Sequence, residues 1–437
     1  MSAKIMLTAL QIRYPQSKHT VIFQKWDKFG LFDGDVTDIL SHNPRTVYIL
    51  DIGSDANVIN QALKILDKNI NVAIFDNHPP EGSKNADYID YLSILAKTRD
   101  HYPFPVKEAY PYPYFMYDAA HNTCTTGVVF EYVSQFMGLT KEQLESMEIW
   151  AIMGLRGDVA YDAARGYDRG AALYNTLIVK RPYLEGLLQS TEQGDDFDKS
   201  LLEFFVQLFH VPRRIIFDDA PPLCMKALDE LAQIEDWLTF YKDVNVGLVT
   251  YLVKKKANNN VLMEYWPVDP EEKPNLVKVI ELYYEWRSGF REFFDAGVTL
   301  FYPAFTVAIV NSNWNLGSAL ANVKSSRTKK PSFVVNIITR KRKGITKEDV
   351  LQGKPLDIYD VHISGRSSED SKLHIGEVFR TCDPDIMFGG GLKMAGSANV
   401  RYPFIEPSQI NAETLTNELV RAANKALYST KGQKESE

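Results

Sequence analysis

The sequence predicts an α/β fold, and three observations predict it. Short apolar runs of strand length alternate with helix-periodic segments over residues 1–80. The same alternation returns from Val298. Between the two, residues 181–295 read as mostly helical. Helices alternating with apolar strands imply parallel pairing through right-handed crossovers. In such sheets ligands sit at the carboxyl ends of the strands.

The elements follow in order. "SAKIMLTALQI" reads as a helix with Ser2 placed to cap it. "HTVIFQKW" reads as a short strand, and "RTVYILDIG" as a buried strand ending at Asp51-Ile52-Gly53. "SDANVINQALKILDKN" is a helix with Ser54 and Asp55 as cap candidates, and "NVAIFDNH" is the third strand. Two helices follow, broken at Gly138-Leu139-Thr140, and the second runs into Gly157-Asp158. In the helical stretch, "RPYLEGLLQS", "KSLLEFFVQLF", "MKALDELAQIEDWLTFYKD" and "NLVKVIELYYEWRSGFREFFDA" carry apolar residues at helical intervals. "VGLVTYLVKKK", "ANNN" and "VLMEYWPV" read as an inserted hairpin. The last part gives "VTLFYPAFTVAIVN", helix "LGSALANVKS", strands "PSFVVNIITR" and "DIYDVHIS", helix "LHIGEVFR", then "MFGGGLKMAG" and a final helix "NAETLTNELVRAANKALYS".

A chain of 437 residues is too long for one ordinary core and suggests two or three domains. With 45% hydrophobic and 24% charged residues it matches soluble globular proteins. No apolar run reaches the roughly 18–20 residues of a membrane span, and the N-terminus lacks the order of a signal peptide. Three distant cysteines, Cys124, Cys224 and Cys382, argue against a disulfide framework and fit a reducing cytoplasm. A net charge of −7 gives no global pull toward nucleic acid.

Three pieces carry chemistry. Asp51 ends one strand, Asp76 and His78 end another, and Asp158 follows a glycine. Carboxylates and an imidazole meeting at one sheet edge would bind Mn2+ or Mg2+, and the histidine tilts the choice toward Mn2+. Such ions activate water and stabilise a phosphoryl group. The plain alternative is that Asp51 and Asp76 are strand-end turn residues and Asp158 a cap.

"DIG", "DNHPP" and "GLRGD" resemble, in order, the second, third and fourth motifs of the DHH phosphoesterase superfamily. "ISGRSSED", "LHIGEVF" and "GGGLKMAG" resemble its associated substrate-binding domain. The layout is most similar to the RecJ nuclease branch, especially the archaeal RecJ-like proteins that accompany GINS and the MCM helicase. The resemblance implies a parallel-sheet DHH domain over residues 1–180 with its first strand missing. It implies a helical connector with a hairpin insertion over 181–295, a smaller α/β substrate-binding domain over 296–428 and a tail from 429 to 437. By carry-over, Asp51 bridges two metal ions, Asp76 orients the site and Asp158 holds the second metal. Asn77 stands at a metal-binding histidine, and His78 where a histidine contacts phosphate. Ser364, Arg366, Gly389, Gly390, Gly391 and Lys393 would hold phosphate.

Three departures qualify this. Asn77 replaces a histidine ligand with a weaker, neutral donor. Leu392 stands where the glycine loop normally continues with a histidine. The first motif, an Asp-x-Asp-Gly stretch, is absent. That absence reflects either truncation or loss of the strand. The register of Ser2-Ala3-Lys4 and the cost of an unpaired apolar edge favour truncation. The expectation is a RecJ-like protein of DNA replication or repair that binds single-stranded DNA, an oligonucleotide or replisome partners, with hydrolysis weak or lost. The alternative is an active Mn2+-dependent phosphodiesterase or 5′–3′ single-strand exonuclease.

One basic stretch stands out. Arg327, Lys329, Lys330, Arg340, Lys341, Arg342, Lys343 and Lys347 give eight positive charges with no acid between them. They either follow a phosphate backbone or line a solvated face. The tyrosine-proline run before His121 reads as a loop more readily than as a base-stacking surface. His42, His101, His210, His362 and His374 read as ordinary surface or core residues.

Overall fold

A computed structural model describes residues 1–24, 30–52, 56–77, 114–117, 123–185, 200–216, 219–234, 236–241, 274–296, 298–341, 357–367, 371–391, 394–400 and 410–432. The chain divides into two compact units. The first comprises Met1–His210 and Asp218–Val279, the second Val211–Phe217 and Ile280–Glu437. Both mix helices and sheet. Among the described residues, no helix is long and apolar enough to cross a membrane.

The first unit holds a three-stranded sheet in the order β1 (Thr46–Leu50), β2 (Asn71–Asp76), β3 (Tyr114–Tyr117). Both pairings are parallel, with Leu50 opposite Phe75 and Asp76 opposite Tyr117. Helices α1 (Ser2–Arg13) and α2 (Asp33–Ser41) precede it. "HTVIFQKW" is not a strand where it is described, at residues 19–24. A strand-like pattern forms a ladder only when a neighbouring edge is present. Helix α2 escaped the reading of periodicity; the Asp35 carboxylate starts it by accepting the Phe32 amide at 2.9 Å.

Side-chain alternation along β2 builds two layers. Ile74 and Val72 face α3 (Ala56–Leu66), whose Val58, Ala62 and Ile65 repeat at helical spacing and are buried with Ile49. Phe75 points the other way, onto Tyr132 of α4 (Thr125–Phe136), ring centres 4.9 Å apart and edge-on. Burying such an aromatic contributes about 2–3 kcal/mol. Helix α5 (Lys141–Gly157) packs on α1 and α4. The close approach of α4 and α5 needs Gly154: a Cβ there would sit 2.4–2.6 Å from Thr126 side-chain atoms.

The unit continues through α6 (Asp168–Ile178), α7 (Leu201–His210) and, beyond the second unit's α8 (Pro212–Ile215), α9 (Ala220–Leu231). Of "RPYLEGLLQS", the described part forms a 3-10 turn at Pro182–Glu185, and residues 186–190 lie outside the described residues. "MKALDELAQIEDWLTFYKD" breaks after Leu231, because the Asp236 carboxylate caps a new start by accepting the amides of Leu238 and Thr239 at 3.0 Å each. The anticipated hairpin at 246–268 lies outside the described residues. Glu230 caps α10 (Asn275–Ala296), accepting the amides of Asn275 at 3.0 Å and Leu276 at 2.6 Å.

The second unit is a six-stranded mixed sheet in the order β4 (Val298–Phe301), β5 (Thr306–Ser312), β6 (Ser332–Lys341), β7 (Asp357–Arg366), β9 (Ala395–Asn399), β8 (Phe388–Gly391). Only β5 and β6 pair in parallel, and α11 (Gly317–Thr328) joins them. Its core runs Phe305, Phe333, Phe379 in two edge-on contacts with centres 5.8 Å apart. Helix α12 (Ile375–Thr381) and α13 (Ala412–Gly432) close it. In α13, Leu415, Leu419, Ala422, Ala423 and Ala426 form the buried stripe.

Candidate functional site

In the first unit, β1 and β2 end side by side. Asp51 follows Leu50 with φ of 59°, a left-handed conformation that aspartate tolerates better than most residues. Its amide donates to Phe75 O at 3.0 Å, extending the β1–β2 pairing past the strand end. Asp76 closes β2 with no exposed surface. Asn77 comes next, half-buried.

Thr125, the first residue of α4, ties these strand ends to the helix. Its hydroxyl lies 2.9 Å from Asp51 Oδ1 and 2.8 Å from Asn77 Oδ1. Its backbone amide donates to Asn77 Oδ1 at 3.2 Å. A hydroxyl has one proton, so at any instant it donates to one of the two oxygens. Asn77 thus serves the N-terminus of α4, taking a backbone donor that the helix itself cannot satisfy.

Asp158 caps the C-terminus of α5, its amide donating to Gly154 O at 3.1 Å. The next residue, Val159, has φ of 61°, a strained conformation for a β-branched residue. Cys124 reports the field of this region. Its thiol is pushed up first by burial and next by the charge of Asp158; the amides of Gly127 and Thr126 pull it down, and Asp51 adds a smaller upward push. Asp51 and Asp158 therefore act on one buried neighbour. Among the described residues, however, no three His, Cys, Asp or Glu side chains gather as a metal-binding group. His78 lies outside the described residues. The oxygens of Asp51 and Asn77 are hard donors that converge, but these residues alone are not a complete ligand set for a divalent ion.

The second unit holds the residues expected to bind phosphate. Ser364 and Arg366 both lie on β7. The Ser364 hydroxyl is buried and lies 3.3 Å from Nδ1 of His362. Arg366 Nη2 donates to Ser318 Oγ at 2.6 Å in the first turn of α11, and Nη1 to Gly365 O at 3.2 Å. Gly389, Gly390 and Gly391 belong to β8, paired with Ala398, Ser397 and Gly396 of β9. A Cβ at Gly389 would meet Ser397 O at 2.1 Å, so glycine is required by the strand contact itself. Lys393 lies outside the described residues.

Sequence reasoning missed two residues here. His362 is not an ordinary histidine: desolvation and then the Arg366 charge push its imidazole down to about 4. Arg214 has no local signal at all, since it arrives on α8, distant in sequence from β7. Of the basic stretch, Arg340 is already paired with Asp360 across β6 and β7, and Lys330 Nζ reaches Tyr302 O at 3.5 Å. Arg342, Lys343 and Lys347 lie outside the described residues.

No family model matches the chain, and no curated protein matches it. Solved structures do. The DHH domain of a member of the s1p family of ribosomal proteins aligns over 91% of this chain and 75% of its own, with TM-score 0.44 and 12% identity. RecJ from Thermus thermophilus, in complex with Mn2+, aligns over 97% of this chain and 50% of its own, with TM-score 0.48 and 13% identity. A pGpG-specific phosphodiesterase from Vibrio cholerae aligns over 96% of this chain and 95% of its own, with TM-score 0.34 and 11% identity.

Proposed function

We propose that this chain is a RecJ-like protein of the DHH type that binds single-stranded DNA or an oligonucleotide, with phosphoester hydrolysis weak or lost. One observation carries the loss: the Asn77 side-chain oxygen, where the resemblance places a metal-binding histidine, is engaged by both donors of Thr125. A neutral amide already holding a helix end is a poor ligand for Mn2+. The same reading assigns the protein to DNA replication or repair, with GINS and the MCM ring as partners docking on residues 181–295, and a place in the cytoplasm.

A Mn2+-dependent nuclease assay on single-stranded DNA tests it, with Asp51→Ala and Asn77→His beside the parent. The expected result is binding by the parent, no cleavage above the Asp51→Ala background, and a gain of cleavage in Asn77→His. Pull-downs with GINS and MCM test the partners, and no association with either would remove that role.

A second reading, an active Mn2+-dependent phosphodiesterase or 5′–3′ exonuclease, draws on Asp51 and Asp76 lying at adjacent strand ends. Parent cleavage that Asp51→Ala abolishes would establish it and displace the first reading.

A further inference from the structure

From Val298 to Lys347 the sequence contains no aspartate or glutamate, in a chain that has 56 of them. The described part of this stretch builds β4, β5, α11 and β6. Strand register sets one row of residues across it. Phe301 pairs with Thr306, Thr306 with Ser332, and Ser332 with Arg366. Directly paired residues project from the same face of a sheet, and the 2.7 Å contact between the Thr306 and Ser332 hydroxyls follows from this. Thr306 and Ser332 are fully buried, whereas Phe301, at the end of the row, is 73% exposed. Adjacent strands lie about 4.8 Å apart, so Phe301 stands roughly 14 Å from Arg366 across the sheet. β4 is the outermost strand of the described sheet and carries no charged residue, although sheets usually guard an outer strand with charge.

The turn from α11 into β6 brings cations to the same edge. Lys330 Nζ reaches Tyr302 O, next to Phe301, at 3.5 Å. Arg327 and Lys329 are exposed. Lys329 ends α11 with φ of 56°. Helices usually place glycine or asparagine in that left-handed position, because a β-carbon is crowded there. A lysine here keeps a charge at a conformational cost that glycine would avoid. An exposed phenyl ring beside cations from an acid-free stretch matches the chemistry of single-stranded DNA. The ring can stack on a base, since every base has a π-face, and ammonium groups meet phosphate oxygens.

We propose that Phe301 and Lys329 form a strand-binding subsite at the edge of the second sheet. Phe301 stacks on a base of single-stranded DNA, and Lys329 meets the backbone phosphate near it. The subsite rests on the single-strand reading above and needs no hydrolysis.

Fluorescence anisotropy of the full chain in EDTA tests it, with a labelled thymidylate dodecamer and an abasic strand of the same length. The parent should bind the thymidylate strand. Phe301→Ala should weaken that binding roughly 5- to 50-fold, while its affinity for the abasic strand and its melting temperature stay near the parent's. Lys329→Gly should weaken binding of both strands and reduce the log–log salt slope by about 0.7. It should also raise the melting temperature, because glycine relaxes the left-handed turn. Lys329→Arg should retain the parent's affinity. If Phe301→Ala binds thymidylate as the parent does, or loses as much on the abasic strand, no base stacks there and the subsite fails. If Lys329→Gly melts lower and keeps its affinity, the lysine is structural and its role fails. If Phe301→Ala splits a dimer in light scattering with DNA affinity unchanged, the edge joins two copies and the subsite fails. A parent that binds no single strand overturns the single-strand reading itself. A parent that binds, with both variants matching it, overturns the subsite alone.

Discussion

Asn77 and Thr125, 48 positions apart, share two hydrogen bonds: the asparagine amide oxygen accepts both the threonine hydroxyl at 2.8 Å and its backbone amide at 3.2 Å. A residue at a strand end is thereby committed to starting a helix. The same hydroxyl reaches Asp51 at 2.9 Å, so one side chain ties both strand ends to α4.

Asn77→Ala should cost about 1 kcal/mol, the usual loss for a helix N-terminus stripped of its acceptor. Asn77→Asp keeps an acceptor there and adds charge favourable to the helix dipole, so its stability should stay near the parent's. Urea denaturation of both variants checks this. An equal loss in the two would mean that packing, rather than the acceptor, matters.

Thr125→Val removes the hydroxyl and nearly preserves shape. It removes the one proton that Asp51 Oδ1 and Asn77 Oδ1 share, and the expected cost is about 1–3 kcal/mol by equilibrium denaturation. In a double-mutant cycle with Asn77→Ala the losses should be less than additive, since both delete the same contact.

Gly154→Ala should destabilise by roughly 1–3 kcal/mol, because the new methyl would overlap Thr126 and the α4–α5 crossing has no slack. Thr126→Ala removes two of the three nearest atoms, at the expense of the buried Ser2–Thr126 hydroxyl contact of 3.0 Å. The double variant should recover only part of the Gly154→Ala loss, because the Thr126 Cβ remains 2.6 Å from the new methyl. Absence of any recovery would place the clash elsewhere.

Val159 should gain from replacement. A left-handed β-branched residue costs on the order of 1–2 kcal/mol, and Val159 is only half-buried. Val159→Gly should raise stability by up to about 1 kcal/mol after the extra chain entropy of glycine. A lower melting temperature would show that the side chain, not the backbone, holds this turn.

His362 makes stability depend on pH. Its folded pKa, about 4, lies below the unfolded value near 6.5. Between these values the unfolded chain binds the proton and the folded chain does not, so stability is full above about pH 6.5 and falls as pH drops toward 4. The contribution is on the order of 2 kcal/mol. In denaturation at pH 4.5 and pH 7, His362→Asn should lose this part of the difference. An unchanged difference would put the titrating group elsewhere.

The sequence by itself determined the helix and strand content that a local period can encode. Two carboxylates at neighbouring strand ends were legible because β2 is apolar up to Asp76, and the stripe of α13 because its apolar residues recur every three to four positions. It also flagged Asn77 as the odd residue, without revealing what engages it. Only the tertiary structure decided that Asn77 starts α4, that the three glycines are a strand in contact with β9, and that Arg340 pairs with Asp360. The physical reason is common to all three. Periodicity reports which face of an element is buried; it is silent on which distant residue supplies the matching donor, backbone or charge, because that is fixed by packing between elements far apart in the chain.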